Sequence, residues 1–101
     1  MKTPDLTGLP GEELIRQGLR DLSLGNDSME ALMVQIGASR MREAGLEVPE
    51  FSPRSSAAEL SLYSLLSIKH GEEAYSQYNS LLRRLVSFER ALEYRQSTLA
   101  A

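Results

Sequence analysis

Between Ala74 and Leu92 the side chains Ala74, Tyr78, Leu81, Leu85, Phe88 and Leu92 recur at steps of 4, 3, 4, 3 and 4 residues. That is the a/d seam of a heptad pattern. A strand turns alternate residues to one face, so only a helix can gather these six on one side. Tyr75, Leu82 and Val86 widen the seam, while Arg83, Arg84, Glu89, Arg90 and Glu93 place mixed charge on the remaining surface. With Glu72 and Glu73 in its first turn, where the helix dipole favours negative charge, the pattern predicts a helix over 72–97. A helix of that length needs other helices to lie against.

The rest of the chain supplies them. Pro10 and Gly11 stop any earlier helix, and Leu14, Ile15, Leu19 and Leu22 follow at helical spacing, predicting a helix over 11–23 that ends before Gly25. Asn26-Asp27-Ser28 reads as a turn, and Asp27 followed by Glu30 resembles a capping box. The stripe Met29, Leu32, Met33, Ile36 continues through Gly37 to Met41 and Ala44, predicting one helix over 28–44 with Gly37 as a close-packing point. The competing pattern is a helix-turn-helix with its turn at Gly37 and Arg40 and Arg42 on the second helix; Glu43 occupies its apolar anchor position and argues against it.

Leu46, Val48 and Phe51 alternate, and Pro49 and Pro53 push the residues before them away from the α region, so 46–53 is expected to lie extended over the core as a link. Ser55 or Ser56, with Glu59, should cap a third helix over 55–70. Its body is apolar nearly all round apart from Ser61, Ser64 and Ser67, which predicts burial at the centre of the domain. Residues 1–10 read as an extended lead-in and 98–101 as a frayed end. Together these segments predict an all-α domain spanning 1–101, a small antiparallel bundle of about four helices with the third packed centrally on the fourth.

Composition agrees and narrows the chemistry. Leucine dominates the apolar residues while Val and Ile are few, and unbranched side chains keep their rotamer freedom in a helix. There is no cysteine among the 101 residues, which removes disulfides, thiolate metal sites and cysteine nucleophiles. Neither a signal peptide nor an apolar run of membrane-spanning length is visible, so the expected location is cytoplasmic, with no membrane partner.

No arrangement names a reaction. His70, the only histidine, sits near Glu73 and Tyr75 and is the single candidate for a base with an orienting carboxylate. Gly71 interrupts the helix between them, and one histidine with loosely spaced acids does not make a metal set. There is no Gly-x-Ser-x-Gly elbow and no phosphate-cradling glycine loop. Met29, Met33 and Met41 suit core filling as well as a groove. No catalytic residue, metal or cofactor is therefore expected.

Two partner classes remain. The seam of the long helix is expected to outrun its partners within the chain, leaving Tyr78, Leu81, Leu85, Phe88, Leu92 and Tyr94 as a protein interface, for a homodimer or the small subunit of a complex. The alternative is nucleic-acid binding through Arg40, Arg42, Arg83, Arg84 and Arg90. A net charge of −3 permits that only if these arginines share a face free of acids.

Overall fold

The computed structural model describes residues 6–51 and 57–100, the last two by backbone alone. The elements among them are all helical: α1 (Glu12–Ser23), α2 (Met29–Glu43), α3 (Ala58–His70), a three-residue 3-10 turn (Gly71–Glu73) and α4 (Ala74–Ala100). At 1.5 Å per residue, α4 alone is about 40 Å long, which sets the long dimension of a molecule of 45 × 26 × 18 Å. The all-α class stands. The arrangement within it differs from the one expected.

The helix at the centre is α2. It packs against α1, α3 and α4, whereas α1 packs chiefly on α2, and α3 on α2 and α4. Ala31, Leu32, Met33, Val34, Gly37, Ala38 and Met41 are buried along it. In α3 only Leu62 and Leu66 are buried, so the central position expected of α3 belongs to α2. Small residues explain the exchange. A methyl group at Gly18 of α1 would fall on the main-chain carbonyl oxygen of Glu30, so α1 and α2 touch there backbone to backbone. At Gly37 a methyl would lie 2.6 Å from Glu89 Oε2 and 3.0 Å from Leu85 Cδ1, so on the other side the space left by the missing side chain is filled by side chains of α4. Helix α2 is continuous through Gly37, which removes the helix-turn-helix.

The helix ends follow local chemistry, with corrections. Ser28, not Asp27, caps α2: its Oγ accepts from Ala31 N at 3.1 Å and donates to Asp21 Oδ2 at 2.6 Å, tying the cap to α1. The Ser55 and Ser56 caps lie outside the described residues; α3 begins after Ala57 with no side-chain cap. Gly71, at φ +55, takes the left-handed value open to glycine and separates α3 from α4. Helix α4 continues to Ala100, beyond its expected end at 97.

The lead-in is not extended over its described part. Leu9 N donates to Leu6 O at 3.1 Å, closing a turn that buries Leu6 and Leu9 in the core. Gly11 then approaches the backbone of α4, a methyl there lying 3.7 Å from Arg84 O. Over its described part, 46–51, the link follows its alternation: Leu46 and Val48 are buried, Glu47 and Glu50 exposed. Arg42 holds it, donating from Nη2 to Val48 O at 3.3 Å and Pro49 O at 3.2 Å while its guanidinium stands 5.6 Å from the centre of the Phe51 ring.

Candidate functional site

The α4 seam is inside the molecule. Ala74, Leu81, Leu85, Phe88 and Leu92 are all buried, with Phe88 and Leu92 fully enclosed, and Tyr78 is half-buried. The expectation that the C-terminal half outruns its partners fails for a simple reason. The turn carrying Leu6 and Leu9, the second half of α2 and the bend at Gly45 cover it; a methyl at Gly45 would lie 3.1 Å from Gln96 Nε2. Of the six residues expected at an interface, only Tyr94, 75% exposed, stands free on the surface.

The arginines separate into two groups. Arg40 lies against acids of α4: Nε and Nη2 form a two-point contact with Glu93 at 2.5 and 2.7 Å, and Nη1 reaches Glu89 Oε1 at 3.3 Å. Glu89 is only 6% exposed. Burial pushes its carboxyl above the ordinary range, and the nearby Arg40 charge draws it part of the way back. Glu93 is held below its ordinary value, first by the hydrogen bond from Arg40, and Arg40 is raised by the same bond. Arg40 thus joins α2 to α4, and Arg42 joins α2 to the link. Arg40 is paired with acids, so the acid-free arrangement of Arg40, Arg42 and Arg83 together is not formed. Arg83, Arg84 and Arg90 are exposed along the outside of α4.

His70, Glu73 and Tyr75 are all exposed at the α3–α4 junction. Among the described residues no group of three or more His, Asp or Glu is placed to hold a metal ion. No helix of the described residues is long and apolar enough to cross a membrane.

What sequence reading missed is the outward face of α3. Leu60 is 65% and Ile68 84% exposed, with Ser64 between them on the same side of the helix. Beside this stripe a cavity of about 360 Å³ is lined by Leu60, Ser64, Leu65 and Ile68 together with Leu32 and Asp27. Tyr63 flanks it, its ring edge-on to Tyr78 of α4 with centroids 5.6 Å apart. The signal was present in the apolar residues on every side of α3, but that pattern reads as burial unless the helix is known to be peripheral.

Comparison with known proteins identifies no relative: no family model, curated protein or solved structure matches the chain.

Proposed function

We propose that this chain is a non-enzymatic helical interaction module that associates with a second copy of itself through the outward face of α3. The observation that carries the reading is the exposure of Leu60 and Ile68 on one uncharged stripe. Between Glu59 and Lys69 the helix has no ionisable group except the Tyr63 phenol. Leu60 and Ile68 lie four residues to either side of Ser64, so a two-fold axis at Ser64 sets Leu60 of each copy at the level of Ile68 of the other. A face of that symmetry is self-complementary, as an isologous contact requires. The serine side chains are small enough to let the helices approach, and the adjoining cavity can receive an apolar side chain from the second copy.

Burying a Leu or Ile side chain contributes about 1.5 to 3 kcal/mol. A contact one helix of about 20 Å in length is small, so association is weak and concentration-dependent. Light scattering on a sizing column across a concentration series tests the proposal. The expected result is a dimer fraction that rises with concentration, does not fall with salt, and vanishes in the Leu60→Lys/Ile68→Lys variant. A monomer at millimolar chain concentration, or a dimer unaffected by both substitutions, overturns it.

A further inference from the structure

The outer side of α4 faces the 8–11 turn across a groove, and the two halves of that groove differ in chemistry. The half nearer the start of α4, of about 500 Å³, contains Arg83 and Arg84 among serines and Asn79. The other half, of about 710 Å³, is mostly apolar, lined by Leu9, Ala91 and Tyr94 together with Arg90 and Arg95. Pro10 and Ser87 line both halves, so they adjoin. No acid lines either half among the described residues, although the chain as a whole carries a net charge of −3. Glu12 and Glu13 border an adjoining hollow that shares Leu9, Gly11 and Arg84 with the groove, and Glu12 Oε1 accepts from Gly8 N at its edge at 3.0 Å. The cations of the groove are Arg83 and Arg84 in one half and Arg90 and Arg95 in the other; Arg83 and Arg90 are both exposed, and Arg90 also feels the charge of Glu93.

We propose that this groove receives an acidic amphipathic helix from a partner protein. Arg83 and Arg90 are seven residues apart, two turns along one side of α4, which is about 10 Å at 1.5 Å per residue. Carboxylates at positions i and i+7 of a docked helix have the same spacing. An apolar side chain beside them would enter the half formed by Leu9, Ala91 and Tyr94, the helix-in-groove mode of recognition. A polyanion is the poorer fit. A nucleic-acid strand extends beyond two turns of helix into the negative field of the rest of the chain, whereas a short peptide meets chiefly the arginines of the groove. The inference does not depend on self-association through α3, which uses a different surface.

Fluorescence anisotropy with a labelled 18-residue helical peptide, glutamates on one stripe and leucines on the next, tests it. Both the wild-type chain and the Leu60→Lys/Ile68→Lys variant are titrated, so failure of the dimer reading leaves this measurement intact. The expected result is saturable binding to both, weakened about tenfold or more by Arg83→Glu/Arg90→Glu, weakened less by Tyr94→Ser, and absent for the same peptide with lysines replacing glutamates. Circular dichroism confirms that the variants fold, and Arg83→Gln/Arg90→Gln gives the same ordering without charge reversal. No binding of the acidic peptide, equal binding by the lysine peptide, or an unchanged affinity in the arginine variants overturns the proposal. So does a decamer of uridylate that binds the groove more tightly than the peptide.

Discussion

Helices α2 and α3 are both apolar over much of their circumference, and α3 is the more uniformly so. Yet α2 is enclosed by three neighbours while α3 presents Leu60 and Ile68 to solvent. Composition does not separate them; closeness of approach does. Helix α2 buries the small residues Ala31, Gly37 and Ala38; at Gly18 of α1 the two backbones meet, and at Gly37 side chains of α4 fill the space that a side chain would take. Helix α3 offers one side, Leu62 and Leu66, to the core, and no element of the described residues lies over the other. The same absence of a polar face therefore means burial in one helix and an uncovered surface in the other.

The comparison breaks most readily at Gly18. Replacing Gly18 by Ala sets a methyl on the Glu30 carbonyl and forces α1 away from α2, with Val34 Cγ2 only 2.6 Å distant as well. The expected loss is about 3 kcal/mol or more, read as an early urea midpoint; a midpoint equal to wild type would show that α1 and α2 do not cross at this site.

The next test contrasts two apolar residues on opposite sides of the α3–α4 pair. Leu85→Ala, in the buried seam, should lower stability by about 2 to 5 kcal/mol. Ile68→Ser, on the exposed stripe, should move the stability of the monomer by less than about 0.5 kcal/mol. Similar losses at both positions would mean that α3 is covered after all.

The smallest effect is a pH dependence. Because burial raises the Glu89 carboxyl, the folded chain holds its proton more readily than the unfolded chain does. Ionised Glu89 therefore lowers stability at neutral pH, and that loss is recovered as pH falls through its raised folded value toward the ordinary carboxylate range. Glu93 works in the opposite direction and in a lower window: its stabilisation is present above the ordinary range and lost as pH falls through its depressed value. Glu89→Gln should consequently melt higher relative to wild type at pH 7 than near the ordinary carboxylate value. A constant difference across that range would remove the burial of Glu89 from the explanation of α2–α4 packing.

Much of the fold is legible residue by residue. The steps from Ala74 to Leu92 place α4 and its core side correctly, Gly25, Gly45 and Gly71 follow the helix ends, and the alternation of Leu46 with Val48 marks the link that lies on the core. These signals are local, carried within one or two turns of backbone. The surfaces were less legible. Arg40 meets Glu89 and Glu93 across separations of 49 and 53 residues, and no spacing rule reaches that far. Tyr94 belongs to the expected interface and remains exposed, while Phe88 and Leu92, six and two residues before it, are enclosed by the 6–9 turn and α2.

Sequence by itself determined that this chain is helical, where its helices begin and end to within a few residues, and which side of α4 is apolar, because periodicity, caps and glycine are properties of short stretches. Only the tertiary structure decided which helix lies at the centre, which arginines are held by acids, and which apolar stripe is left uncovered. Those depend on how closely elements can approach one another, and that distance is settled where they cross, at contacts such as Gly18 with the Glu30 backbone and Gly37 with the Glu89 side chain, which no local period of the sequence encodes.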